Sequence, residues 1–330
     1  MTVSHSTEPD IPSIEPRTFP ALKVMERQTP PLRHGALPAW RAPVVLAPED
    51  VYIPSWTWSS PLDFPEGESV TVLQVNAHCL LSISATTQIA HSPLVHSGPF
   101  AHLPAAGTVS PGYYRITIPY WAFDGTIVSP LGDSARLQVQ ESVWVAAPTL
   151  VLLLELFTDG HLGWLEIIDS WTAHVTSDFH AWAERLRSIR NECLDRIDVA
   201  QTELRRRQEL ARYEAFTEGC ESALTMMVSG RQCLTRRPDW AHTVYAQHAA
   251  DMWRDAWRYT FTTRSLVAMG AVDELAVLSR DVGDVIMRPR PPFRYDATGR
   301  QCGALRPKKT VFISCGPPQR GETIDEMEGL

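Results

Sequence analysis

Residues 137–168 read LQVQESVWVAAPTLVLLLELFTDGHLGWLEII, and the division of this stretch into elements decides the fold. Polar and apolar side chains alternate over 137–145, the period of a strand with one face in a core. The run LVLLLELF at 150–157 is short, apolar and bounded by Pro148 and by Asp159-Gly160, which predicts a second strand buried on both faces. A third strand is expected at 164–168. Outward from here the pattern recurs in VTVLQV at 70–75, CLLSIS at 79–84 and YYRITIPY at 113–120. Turn chemistry separates the runs at Pro65-Glu66-Gly67, Pro111-Gly112 and Gly132-Asp133. No helical period lies between them, so the crossovers of a parallel sheet are missing. The expected fold of residues 44–170 is therefore an antiparallel β-sandwich or jelly-roll-like domain.

The period becomes helical after Ser170. Phe179, Trp182, Leu186, Ile189, Cys193, Ile197, Ala200 and Leu204 step by three and four, which predicts one long helix reaching Thr217, with a slip between Cys193 and Ile197. A second helix is expected after Pro238-Asp239, with Trp240, Val244, His248, Met252 and Trp257 on one side, and a third over 272–286. Residues 171–287 thus read as a helical domain. Residues 288–330 read as a basic loop, one strand at 310–314 and an acidic tail. At the other end, residues 1–65 hold 12 of the 26 prolines, and residues 1–43 form an extended Pro-rich arm. Phe19, Leu22 and Trp40 give that arm anchors for a partner, and Trp56 and Trp58, two apart in an extended segment, are further partner-contact candidates. The fold class expected for the whole chain is α+β.

Composition narrows the chemistry. Lys23, Lys308 and Lys309 are the only lysines, so residues 24–307 offer no amine for a Schiff base or for a phosphate-binding loop. Pyridoxal enzymes and P-loop NTPases are excluded. The chain contains neither GxSxG nor GxGxxG. Cys315 and Arg320 resemble a phosphatase loop only superficially, because Pro317 and Pro318 cannot donate amides to a phosphate. The opening MTVSHSTEPDIPS has neither a basic nor an apolar segment, so secretion by a signal peptide is not expected. An intracellular, cytoplasmic or virion setting is expected, with free thiols and no membrane partner.

Charge is uneven along the chain. Residues 44–170 hold 12 acidic groups against Arg115 and Arg136, a balance of minus 10, which repels phosphate. Only 14 of those 127 residues are charged, so the segment must present neutral or apolar surface to a partner or to the rest of the chain. Residues 288–309 hold Arg288, Arg290, Arg294, Arg300, Arg306, Lys308 and Lys309 against Asp296 alone, a balance of plus 6. They are the nucleic-acid candidates, competing with a contact between this segment and the protein's own acidic face.

His78, His91, His96 and His102 crowd into one stretch beside Cys79, yet no ligand pair has the tight spacing that presets a zinc site. They remain weak metal candidates, and no cofactor or catalytic residue is assigned. These readings predict a non-enzymatic structural or interaction protein, of the kind used as a viral capsid or capsid-associated subunit, whose partners are other protein subunits in a self- or hetero-oligomer. The alternatives are a nucleic-acid-associated accessory protein using 288–309, and a metal-dependent enzyme using the histidine cluster.

Overall fold

The structure, a computed structural model, describes the chain between Val51 and Phe312, leaving out 53–57, 60–68, 76–82, 84, 87, 91, 93, 122–128, 133–140, 175, 178–179, 230–237, 263–266, 271–273 and 280–304; residues 1–50 and 313–330 are likewise outside the description. In chain order its elements are β1 (Val51–Tyr52), β2 (Trp58–Ser59), β3 (Ser69–Val75), β4 (Ile89–Ala90), β5 (Leu94–His96), β6 (Gly112–Thr117) and β7 (Ser142–Ala146). Helix α1 (Ala147–Thr158) follows directly, then β8 (Ile167–Ala173), β9 (Thr176–Ser177), α2 (His180–Asp198), α3 (Glu203–Ser229) and α4 (Pro238–Thr262). The last described elements are β10 (Val267–Gly270), β11 (Glu274–Leu278) and β12 (Leu305–Phe312). No helix among the described residues is long and apolar enough to cross a membrane.

The strands form two five-stranded sheets, ordered β1-β7-β6-β8-β5 and β12-β3-β11-β10-β2, and a small β4-β9 pair. Pairing is antiparallel throughout except between β1 and β7. One apolar cluster unites both sheets with two helices: Tyr114, Ile116 and Val145 from the first sheet, Leu73, Leu275 and Val277 from the second, Leu150 and Leu153 from α1, and Trp253 from α4. Burial of that apolar surface is the main stabilising contribution. Trp253 stacks on Trp257 one turn later at 5.2 Å and meets Trp121 edge-on at 5.6 Å.

The mixed α+β class holds, but several expected elements are corrected. Residues 147–158 are a helix and not a strand. Pro148 sits in the first turn, where its missing donor costs nothing, and leucine, an unbranched helix former, dominates the run. The helix is buried on most sides, from Leu150 through Leu152, Leu153, Leu154 and Leu156, so it has no polar stripe to betray its period. At its end the amides of Asp159, Gly160 and His161 turn back onto the carbonyls of Glu155, Phe157 and Leu156.

The single long helix is two helices, α2 and α3, broken where Val199 and Ala200 close a final turn and Thr202 caps the next through its hydroxyl to the Arg205 amide at 3.3 Å. Leu204, assigned to the apolar seam, is exposed, while Arg190 is fully buried. The expected third helix, 272–286, instead contains β11, paired with β10 as a hairpin. Of the expected strand 79–84, the one described residue, Ile83, is helical. A sandwich followed by a helical domain is not what the described residues build: the second sheet joins β2 and β3 to β10, β11 and β12, and α1 lies within the strand-rich half.

Candidate nucleic-acid interface

The basic strand β12 runs LRPKKTVF along the edge of the second sheet, beside the interior strand β3. An edge position and a register shift between Pro307 and Lys309 explain how a strand tolerates proline, which can neither donate to a ladder nor sit in a sheet centre. Arg306 pairs in register with Gln74 on β3, and Gln74 with Glu274 on β11. One polar row therefore crosses three strands at the end of the sheet. Successive residues beyond it alternate between the faces: Leu73, Val75, Leu275, Val277 and Leu305 enter the main core, while Val70, Val72, Ala276 and Leu278 form a small cluster on the other side.

Lys308 leans over this row and donates from Nζ to Glu274 Oε1 at 2.9 Å. The Glu274 side chain is only 7% exposed, so without a cation its charge would be costly. Further along, Thr71 on β3 shares a hydroxyl hydrogen bond with Ser279 at 2.8 Å and a longer one with Thr310 at 3.4 Å, tying β12 and the end of β11 to the strand between them.

A second group of charges lies on α4. Asp251 accepts from Gln247 and from Arg254, and Arg254 also donates to Glu155 on α1, bracing the two helices. Asp255 is buried, and its Oδ2 has no hydrogen-bond partner among the described residues. Burial pushes its carboxyl well above the usual range and neighbouring Asp251 adds to the push, although Arg258 and Arg254 oppose it. Near the start of the same helix, His242 is lowered by burial, against the pull of Asp239, and shares a 2.8 Å hydrogen bond with the hydroxyl of Tyr113.

The residues singled out from sequence distribute unevenly. Arg306, Lys308 and Lys309 come together on β12, whereas Arg288, Arg290, Arg294 and Arg300 lie outside the described residues. Of the histidines, His78 and His91 are outside the description, His102 is exposed, and His96 is committed to Asp169, Nε2 to Oδ1 at 2.7 Å. Among the described residues no group of three or more His, Cys, Asp or Glu is arranged to hold a metal. Phe19, Leu22, Trp40 and Trp56 also fall outside the description, and Trp58 lies in β2, paired through its backbone with Gly270. Glu274 falls within 272–286, where the sequence predicts a helix, so its place in a sheet is not legible from that pattern. The available signal was the pair of short runs VAMG and ELAVL about a tight connection, the spacing of a hairpin.

No protein-family model matches this chain, and no curated protein matches its sequence. Its fold does match solved structures. Phi29 DNA polymerase complexed with primer-template DNA, in the post-translocation binary form, superposes with a TM-score of 0.56 at 10% identity, covering 88% of this chain and 51% of that one. The same polymerase in its ternary complex with primer-template DNA and incoming nucleotide gives 0.55 at 11% identity over 79% and 46%, and its complex with single-stranded DNA gives 0.53 at 11% over 79% and 46%. The chain spans about half the length of these structures. Composition had pointed to a non-enzymatic capsid or capsid-associated subunit. That reading is corrected: sparse charge and a proline-rich arm describe surface chemistry and leave topology open, and the topology of these sheets and helices is similar to that of a DNA polymerase.

Proposed function

We propose that this chain is a nucleic-acid-processing protein that grips a DNA strand with the basic segment 288–309. The observation that carries this reading is the likeness to Phi29 DNA polymerase bound to primer-template and single-stranded DNA, together with a strand that holds Arg306, Lys308 and Lys309. Clustered cations are what phosphate contacts require, and residues 44–170, at minus 10, cannot supply them. Lys308 is partly spoken for by Glu274, so Arg306, Lys309 and the arginines of 288–300 carry the grip. An internal contact and a phosphate contact thus divide the segment between them.

Polymerase chemistry uses magnesium ions held by carboxylates and substrate phosphates. The donors described on the second sheet do not fit such a centre. Glu274 is buried and engaged by Lys308, and no carboxylate cluster accompanies it among the described residues. Fluorescence anisotropy with labelled primer-template and single-stranded DNA tests the grip over a salt series. Contact with about six phosphates gives a slope of log affinity against log salt near minus 4 to minus 5. Replacing Arg300, Arg306 and Lys309 with alanine should make that slope shallower by about 2 to 3. Affinity that is flat in salt, or identical in the triple variant, rejects the reading.

A further inference from the structure

The first sheet has one face in the core and a second face that the described residues cover only in part. In the covered part Tyr113, Ala146, Leu94 and Ala173 pack with Ala90 and with Ala246 of α4. The register puts Trp171 and His96 in the same cross-strand row as Tyr113 and Ala146, toward the β5 edge, and Trp144, Arg115 and Asp169 in the next row of the same face. Here it opens. Arg115, Trp171 and His96 are exposed, Trp171 at 37%, and Trp144 is half-buried. His96 lies against Trp171 with ring centroids 5.1 Å apart while bound to Asp169, so an indole and an imidazole are held as a fixed ridge beside a carboxylate.

We propose that residues 16–43 of this same chain dock on that face. Exposed aromatic ridges on sheets recognise proline-rich chains, because a polyproline-like segment is already extended and loses little entropy on binding. Residues 16–43 contain Pro16, Pro20, Pro30, Pro31, Pro38 and Pro43 with the anchors Phe19, Leu22 and Trp40. Charge agrees. Arg17, Lys23, Arg27, Arg33 and Arg41 against Glu26 give that segment plus 4, whereas residues 44–170 stand at minus 10, with Glu141 and Glu166 exposed just before β7 and β8. The same minus 10 disfavours nucleic acid as the occupant.

Connectivity supplies the reach. The arm leads into β1, whose Val51 pairs with Trp144 at the edge of this sheet. Crossing from β1 to β5 passes four strand spacings, about 19 Å at ~4.8 Å each. Residues 44–50, extended at ~3.1 Å apiece, cover about 22 Å, so Trp40 and Pro43 can stand over Trp171 without strain.

Limited trypsin digestion of the full-length chain tests this, read at the bonds after Arg27, Arg33 and Arg41. A docked arm is cut at least tenfold more slowly in the wild type than in Trp171→Ala or Asp169→Lys. Raising sodium chloride from about 0.05 to about 0.5 M should also speed the cut, since the contact is partly between charges. Should either variant lose its near-ultraviolet dichroism, the salt arm on wild-type protein decides. Equal rates in wild type and folded variants, with no salt effect, overturn the proposal. Protection that grows with protein concentration assigns the face to the arm of a second copy, and single-stranded DNA that crosslinks to Trp171 while the arm is cut freely assigns it to nucleic acid; both also overturn it.

Discussion

Gly112 opens β6 at a point where its backbone lies directly against β8. A Cβ built there would run into the Trp171 carbonyl and the Thr172 backbone, atoms that cannot swing aside as a side chain tip would. Gly112→Ala should therefore destabilise the protein by about 2–3 kcal/mol, measured by urea unfolding, because the ladder must shift to admit one methyl group. Asp255 makes the opposite case, a side chain whose removal helps. Its folded carboxyl binds a proton more tightly than the unfolded chain does, so the folded state is favoured at low pH and loses stability as pH rises from the ordinary aspartate value of about 3.9 toward the raised one. Asp255→Asn keeps the shape without the charge. It should raise Tm at pH 7 and show little advantage near pH 4; a variant less stable than wild type at pH 7 would mean that the charge is paired by more than Arg258 and Arg254.

Between residues and the molecule stand the elements, and two of them depend on single contacts. In β12 the Lys308–Glu274 pair lets a charged edge strand lie against β3. Lys308→Ala strands a buried carboxylate, and about 1–3 kcal/mol of stability should be lost, less than for a wholly buried pair because the lysine is partly solvated. Adding Glu274→Gln should recover most of that loss in a double-mutant cycle. Helix α3 begins at the Thr202 cap, and Thr202→Ala should cost about 1 kcal/mol without altering the rest of the sheet structure. Helix α1 is held chiefly by burial, beside the Arg254–Glu155 pair that braces it to α4. Leu153 is fully buried in the shared cluster, so Leu153→Ala should cost about 3–5 kcal/mol, read as a fall in the denaturant midpoint at constant slope.

At the scale of the whole molecule, the two sheets and helices α1 and α4 share one core, so a core substitution on either sheet should lower a single cooperative transition of the described region. Leu73→Ala in β3 and Tyr114→Phe in β6 allow a comparison. The first opens a cavity common to both sheets, while the second only removes the hydroxyl that donates to the Ser110 carbonyl at 2.7 Å. Two separate melting steps in the Leu73→Ala variant would show that the sheets unfold independently. Under the proposed function, the chain-wide charge of minus 8 would weaken all nucleic-acid binding by long-range repulsion, while the cations of 288–309 would give it steep salt dependence.

Much of the local structure was legible in the residues themselves. Runs of β-branched and aromatic residues between turn signals marked β3 and β6, and Pro238-Asp239 ahead of apolar residues spaced by about one turn marked α4. The exclusions from lysine content and the basic segment also needed no structure. Where both faces are buried the period vanishes, and Leu150, Leu153 and Leu154 could be read equally as strand or helix until packing against α4 settled them. Glu274 and Lys308, 34 positions apart, meet only because β3 lies beside both β11 and β12. Strand order is a long-range property that no local period encodes, so the similarity to a polymerase fold emerged from the tertiary structure alone.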